Sequence, residues 1–409
     1  MAFELHMAPN LRHLHVLSEV ARLGTLSAAA RSAHLSQPAV TQAIANVEQY
    51  FGAALFARSS AGVKLTPAGE VCILRITRAI AQLREGLADL LRRSDRAPQR
   101  AGQLILRMTN AQLTALVAFI QHGTFRAAAR GAGVAQPTLH RAARALERTL
   151  AVPLFEQTSF GIRATRDAEA LCRCVRLALT ELAQARAEVS ALSGRATGST
   201  VIGAMPLARS FLVPSAVIEF AREHPEHSVS ITEGTYEHLL MALQSGEADF
   251  LIGALRDKQV AADVRQEHLF NDSLCIAARA GHPLQGRKHL AAADLTRYPW
   301  IAPRVSSPLH AHFMELFTSA AAPPPLHPVR CNSLIAARAF LLEGDYLMLS
   351  STHQIHYELR AGLLVALPHP RGRVLRSIGL TTRRDWRPTL AQSLLLDLLR
   401  VLTRSADQG

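Results

Sequence analysis

The sequence predicts a multi-domain chain: two small, mainly helical units in succession, followed by an α/β domain. Three observations predict it. The N-terminal part matches itself at a fixed shift of 99 positions, with helix-start and helix-stop signals at equivalent places in both copies. From Thr200 onward, short apolar runs alternate with amphipathic stretches. A length of 409 residues is also too great for one ordinary core. Hydrophobic residues at 49% and charged residues at 19% argue against disorder, and no stretch approaches the roughly 18 uninterrupted apolar residues of a membrane helix. The first ten residues carry Glu4 and His6 where an export signal would place basic and then apolar residues, so a cytoplasmic protein without a membrane partner is expected.

Charge narrows the class further. Residues 1–197 hold 24 basic and 13 acidic side chains, whereas residues 198–409 hold 21 and 19. The basic excess is local, which suggests a polyanion-binding module joined to a part that binds no polyanion, and nucleic acid is the leading polyanion. Five scattered cysteines (Cys72, Cys172, Cys174, Cys275, Cys331), with no Cys-x-x-Cys spacing, fit neither a disulfide framework nor a zinc site. The 18 histidines form no ligand spacing either; His13 with His15, and His353 with His356, lack a matching cluster. No metal and no cofactor are expected.

In the first copy, Leu14, Leu17, Val20 and Ala21 recur at helical spacing, and Gly24 is expected to end that helix in a left-handed cap. Ser27 is expected to cap a second helix, which runs through Ala28, Ala29 and Ala30 and stops near His34. Ser36-Gln37-Pro38 then combines a capping hydroxyl with a proline in the first turn. Val40, Ile44 and Val47 form the buried stripe of this third helix, while Gln37, Thr41, Gln42 and Asn46 make an uncharged hydrogen-bonding face. Such a pair of helices is a helix-turn-helix, whose polar face would enter the major groove of double-stranded DNA. Next, Leu55-Phe56-Ala57-Arg58 and Val63-Lys64-Leu65-Thr66 flank Ser59-Ser60-Ala61-Gly62, a hairpin forming a wing. Arg58 and Lys64 on it would contact phosphates. A long helix follows from Pro67 to about Arg93.

The second copy needs no gap. Gly24-Thr25 falls on Gly123-Thr124, Ala28-Ala29-Ala30-Arg31 on Ala127-Ala128-Ala129-Arg130, Gln37-Pro38 on Gln136-Pro137, Glu48 on Glu147, Leu55-Phe56 on Leu154-Phe155, Gly62 on Gly161 and Thr66 on Thr165. Some edges differ. Ala135 replaces the capping Ser36, a loss of about 1 kcal/mol, and Ala151, Gln157 and Ala168 replace Gly52, Arg58 and Gly69. Gly133 keeps the turn, and Leu139 and Leu146 keep the stripe. The outer face, with Gln136, Thr138, His140, Arg141, Arg144 and Arg148, is more basic than in the first copy, and Arg163 is basic on the wing. This copy is expected to grip phosphates; the alternative is a dimerising or spacing domain.

The domains expected are therefore residues 8–93, a polar Pro- and Gly-bearing linker at 94–107, residues 108–192 ending in a second long helix from Arg166 to Leu192, a hinge at 193–198, and an α/β domain at 199–405. In that domain, strands are expected at 201–203, 229–231, 250–253, 274–276, 346–349 and 378–380, and helices near 211–222, 236–245, 309–319, 334–342 and 390–402. The alternation predicts largely parallel sheets. Ligand contacts are expected at strand-to-helix junctions: Leu207 and Arg209 after the first strand, Arg304 with Ser306 and Ser307 before the helix at Leu309, and Asn332 with Ser333 before the next. The two serines would suit a carboxylate.

The run from Leu14 to Gly69, with Ala28-Ala29-Ala30, Leu35-Ser36-Gln37-Pro38-Ala39-Val40-Thr41, Glu48, Leu55-Phe56-Ala57-Arg58 and Leu65-Thr66-Pro67-Ala68-Gly69, resembles the winged helix-turn-helix of LysR-type transcriptional regulators. The resemblance extends over nearly the whole chain, except that the family normally has one such domain. It implies a DNA-binding regulator in which Gln37, Ala39, Thr41, Gln42 and Asn46 touch bases from a helix begun by Ser36 and Pro38. It further implies a homodimer or homotetramer, in which the helix from Arg166 pairs with a partner subunit; packing within the chain is the alternative for both long helices. The last domain would be two α/β lobes like those of periplasmic solute-binding proteins, with a small-molecule effector between them. A redox switch of Cys275 and Cys331, as in peroxide-sensing members, an architectural DNA-binding protein, and an enzyme on the solute-binding-like fold are the alternatives. No nucleophile-and-base pair or catalytic carboxylate motif is assembled in the sequence.

Overall fold

The computed structural model describes residues 8–59, 62–195, 197–256, 261–305, 307–318, 323–331 and 333–406. They form two compact units, one of residues up to Ser199 together with 226–228 and 245–247, the other of the remainder. The expected hinge residue Ala196 lies outside the described residues.

The first unit begins with α1 (Leu11–Leu23), α2 (Leu26–Ser32), α3 (Gln37–Phe51), the hairpin β1 (Phe56–Ser59) and β2 (Gly62–Leu65), and α4 (Pro67–Arg93). Gly24, at φ +71°, ends α1 in the left-handed region as expected. The cap of α2 is Thr25 rather than Ser27: leaving Gly24, the chain is already extended at Thr25, whose hydroxyl accepts from the Ala28 N–H, so Ser27 falls inside the first turn. Ser36 caps α3 by accepting from Ala39 N–H, and Pro38 sits in its first turn.

The segment expected to be a polar linker is helical. Pro98–Arg100 forms a 3-10 turn and α5 (Ala101–Ile105) follows it, with Ala101, Leu104, Ile105 and Met108 buried. The polar run at 92–100 concealed this short apolar anchor.

The second segment takes the same order of elements: α6 (Asn110–His122), α7 (Phe125–Gly131), α8 (Gln136–Leu150), β3 (Phe155–Thr158), β4 (Gly161–Ala164) and α9 (Arg166–Leu192). Thr109 and Gln112 cap α6 reciprocally. By contrast, α8 starts at Ala135 with no side-chain cap and ends at Ala151, held at φ +55°. Ala135→Ser and Ala151→Gly are each expected to stabilise this unit by about 1 kcal/mol, the first by capping and the second by relieving a left-handed alanine. Urea unfolding midpoints of the two variants check this.

One apolar core runs through both segments, from Leu14, Leu17 and Phe51 to Phe119, Leu146 and Phe155. The helix α9, which the resemblance would pair with a partner subunit, packs along α4 of its own chain. Arg75, fully buried, donates to Glu181 (2.8 Å), Gln184 (2.7 Å) and Glu188 (2.7 Å) across this contact.

The second unit contains β5 (Gly198–Ala204), α10 (Pro206–Ser210), α11 (Leu212–Glu223), β6 (His227–Glu233), α12 (Tyr236–Gln244), β7 (Phe250–Ala254), β8 (Val264–Arg279), α13 (Ala292–Leu295), β9 (Trp300–Ala302), α14 (Pro308–Thr318), β10 (Val329–Arg330), α15 (Leu334–Glu343), β11 (Leu347–Ser351), α16 (His356–Arg360), β12 (Leu364–Leu367), β13 (Leu375–Arg383) and α17 (Leu390–Ala406). The strands are ordered β10-β9-β11-β8-β13-β7-β5-β6, with β12 also on β8.

The expectation of largely parallel sheets is corrected. Although β10 with β9, β11 with β9, and β5 with β7 are parallel, β8 runs antiparallel to β11, β12 and β13, and β13 antiparallel to β7. The apolar triplets 274–276 and 378–380 lie within the buried runs 274–278 and 378–383 of the long strands β8 and β13. A Cβ on Gly379 would lie 2.0 Å from the Glu267 carbonyl oxygen, at the register shift between these strands, so only glycine permits that approach. Two main apolar cores flank the crossing strands. One gathers Phe220, Phe250, Phe270 and Trp386, the other Trp300, Phe313 and Phe317 with Leu274 and Ile276. Two lobes joined by crossing strands result. Among the described residues no single helix is long and apolar enough to cross a membrane.

Candidate nucleic-acid interface

The outer face of α3 is set by its two ends. Ser36 fixes where the helix begins, and the Glu48 carboxylate, near its last turn, turns inward to accept from Leu55 N–H (2.7 Å) and Phe56 N–H (3.4 Å). That bond ties the wing to the helix and removes the one negative side chain of α3 from the exposed face. The same device recurs in the second segment, where Glu147 accepts from Leu154 N–H (2.8 Å) and Phe155 N–H (3.0 Å). Sequence reasoning found both glutamates as matches without their role. The wing is also anchored to α1, through Val63 N–H to the Gly24 carbonyl (2.9 Å).

On the exposed side, Ser36, Gln37, Pro38, Thr41 and Gln42 face solvent, with Ala39 and Asn46 half-buried. The Thr41 hydroxyl donates to the Gln37 carbonyl (3.2 Å), and Gln42 Nε2 donates to Asn46 Oδ1 (2.9 Å). The result is a neutral row of amides and a hydroxyl, held in place yet open. Lys64 is exposed on β2, and Arg58 lies on β1 opposite Val63. Behind the face, Arg22 hydrogen-bonds Glu19 and holds its carboxyl at about 2, and Ser32 donates to the same carboxylate (2.6 Å), locking α2 to α1.

The second segment presents a different face. Gln136, Thr138, Arg141 and Arg148 are exposed. His140 turns its ring against Phe125, with centroids 4.9 Å apart and edge-on geometry. Arg144 pairs with Glu147 (2.7 Å), and Arg163 pairs with Glu156 (2.6 Å) across the hairpin. The basic character inferred from sequence is therefore partly neutralised by neighbouring acids.

The expected effector contacts divide between the lobes. Leu207 and Arg209 lie on α10, directly after β5, whose Ile202 and Ala204 belong to the first core. Arg304 is exposed between β9 and α14, and Ser307 donates to its carbonyl (2.8 Å). Ser333 caps α15 by accepting from Ala336 N–H (3.3 Å). Ser306 and Asn332 lie outside the described residues. Sequence reasoning missed a buried group: Asp272 on β8 is fully enclosed and accepts from its cross-strand partner Arg376 (2.8 Å), with His353 Nδ1 3.0 Å away. The charges at 272 and 376 were visible, but their pairing needed the unpredicted antiparallel register.

Cys275 is buried, and desolvation pushes its thiol up to about 12, far from the thiolate that a redox switch requires. Among the described residues no three His, Cys, Asp or Glu side chains converge as metal ligands.

Residues 193–403 match the LysR substrate binding domain, and residues 11–70 and 110–169 each match the bacterial regulatory helix-turn-helix protein, lysR family. The HTH-type transcriptional regulator GalR of Pseudomonas putida is 32% identical over 399 residues, which is 97% of this chain and 98% of that protein. The regulator PcaQ of Agrobacterium fabrum is 32% identical over 269 residues, 65% of this chain and 86% of its own. Among solved structures, a full-length OxyR variant from Pseudomonas aeruginosa is similar at a TM-score of 0.54 and 23% identity, over 72% of this chain and 95% of its own.

Proposed function

Because the chain belongs to the LysR family of bacterial helix-turn-helix transcriptional regulators, we propose that it reads its operator chiefly through the exposed face of α3 and that a small-molecule effector in the C-terminal lobes tunes this binding. The observation that carries the reading is the neutral row Gln37, Thr41 and Gln42, exposed on a helix whose start is fixed by Ser36. Amide side chains pair bidentately with base edges, and a neutral face supplies selectivity without indiscriminate attraction to phosphate. Ser36, Pro38 and Ala39 keep the helix start compact enough for close approach, Asn46 orients Gln42, and Arg58 and Lys64 of the wing grip phosphates.

We read the two helix-turn-helix segments as two copies of one DNA-binding domain, residues 8–93 and 108–192, with residues 94–107 between them and residues 193–198 as the hinge to the effector domain at 199–405. Gln136, Thr138 and Arg141 would serve the second copy, with Arg144 and Arg163 exchanging their acidic partners for phosphate. The GalR match, which spans nearly the whole of both chains, supports two copies as a shared arrangement rather than an accident of this sequence. The protein works in the cytoplasm as a homo-oligomer and is not an enzyme.

For the effector, the residues read as contacts are Leu207 and Arg209 of the first lobe and Arg304, Ser306, Ser307, Asn332 and Ser333 of the second, a basic and hydroxyl-bearing set that by residue type suits a carboxylate. Closing the lobes on it would change the DNA-bound arrangement only if the ligand favours one arrangement over another. Calorimetry of the full chain is expected to detect small organic acids in preference to their neutral amides; the reverse preference would contradict the carboxylate assignment.

Retardation of upstream promoter fragments at low ionic strength tests the DNA-binding role directly. Lys64→Ala is expected to weaken binding to all sequences alike and to lower the slope of log affinity against log salt by about 1, the signature of one lost phosphate contact. An unchanged slope would remove Lys64 from the interface.

A further inference from the structure

The contact between α4 and α9 has a regularity that neither helix shows alone. Facing residues run in opposite directions along the two helices, from Arg75 opposite Glu188, through Gly86 against Cys174, to Arg93 opposite Asp167. Interpolating along this register sets Ala81 opposite Thr180, one position on from Ile80 and Leu179. Both pairs are equivalent positions under the 99-residue repeat. A cavity of about 20 Å³ at this point is lined by Ile80 and Leu179, and around them by further equivalent pairs: Leu14 with Leu113, Ala79 with Ala178, Leu83 with Leu182. The space holds about one water and no effector. An antiparallel interface in which equivalent residues meet at one central point, with further equivalent pairs arrayed around it, is the hallmark of two-fold related units.

We infer that one chain folds its two helix-turn-helix segments into a two-fold pair, so that a single polypeptide presents α3 and α8 to the two inverted halves of one operator. The inference rests on the DNA-binding reading proposed for each segment. Antiparallel helices place the segment preceding each helix at opposite ends of the pair. A 27-residue helix is about 40 Å long, the scale of the roughly 34–36 Å between half-sites one turn apart.

The charges make the pairing specific to unlike helices. Arg75 meets Glu181, Gln184 and Glu188, whereas its equivalent on α9 is Cys174, which meets Gly86. Two α9 helices from different chains, paired in the same register, would bury Glu181 twice with no guanidinium opposite, and an uncompensated buried charge is strongly unfavourable. The recognition faces also differ in a readable way. Gln42 and Arg141 are equivalent positions, and glutamine favours adenine where arginine favours guanine. The operator is therefore an imperfect inverted repeat, with adenine in one arm where the other has guanine.

Two measurements on the full chain test this. In an Arg93→Cys/Asp167→Cys variant treated with a short bismaleimide, with the wild-type chain as the blank for native thiols, the cross-linked product is expected at the mass of one chain. A product at twice that mass would overturn the pairing. In selection from a duplex library with a randomised centre, the wild-type chain is expected to enrich an inverted repeat with unlike arms. Arg141→Ala should lower base discrimination at least about tenfold in one arm alone, and Gln42→Ala in the other. Identical arms, or one variant relaxing both, would overturn the inference. Absence of any enrichment with an intact one-chain cross-link would instead overturn the DNA-binding reading, and with it the operator assignment.

Discussion

Replacing Arg75 by alanine is expected to destabilise the N-terminal unit by about 3–5 kcal/mol, the cost of breaking a buried ion-pair network from one side. The guanidinium is fully enclosed between α4 and α9, and Glu181, its partner at 2.8 Å, is only 5% exposed. Removing the arginine leaves Glu181 with Arg78, 25% exposed, as its remaining ion-pair partner, and takes away one of the contacts that joins residues more than a hundred positions apart. The double variant Arg75→Met/Glu181→Met is expected to recover much of the loss, because apolar side chains of similar volume need no partner. Urea unfolding of the two variants separates a buried ion-pair role from simple space-filling: if both lose the same stability, packing rather than charge holds the helices together.

The second large effect is on recognition. Gln37→Ala/Gln42→Ala should leave the fold almost unchanged, since both side chains are exposed on α3 and buried residues such as Val40 and Val47 hold the helix in place. Each bidentate amide-to-base pair carries about 1–3 kcal/mol of discrimination, so preference for the operator over random DNA should fall on the order of a hundredfold or more. Binding to random DNA should persist, because Arg58 and Lys64 are untouched. Competition binding at one fixed salt concentration reads the ratio. Equal losses on operator and random sequences would mean that the amides act only as general contacts.

Much of this arrangement is legible in the sequence because its determinants are local. Gly24, Ser36 and Pro38 mark helix ends by chemistry that acts within one turn, and the structure follows them. Ser27 misled for the same reason: Thr25, two residues earlier, has the same capping hydroxyl, and only the extended conformation after Gly24 decides between them. The short strands β9, β10 and β12 and the antiparallel course of β8 and β13 were not legible, since their pairing depends on residues from 28 to 119 positions away. The Asp272–Arg376 pair followed from that register and could not be seen before it. On the candidate interface, the α3 amides stood out by type and spacing, whereas the inward turn of Glu48, the packing of His140 on Phe125 and the pairing of Arg163 with Glu156 are contacts with other elements. For α9 the sequence left two partners open, a helix of another subunit or one of its own chain. The repeat showed that α4 and α9 are alike, but only their antiparallel contact shows that they meet in one chain.

The most direct test is methylation interference on a selected operator, with the full wild-type chain beside the Gln37→Ala/Gln42→Ala variant. Wild-type binding should be blocked by methyl groups in the major groove of both arms, and in the variant the arm read by α3 should become indifferent to them while the other arm stays sensitive. If the two patterns coincide, the face from Gln37 to Asn46 does not touch the bases, and specificity has to be sought elsewhere in the chain.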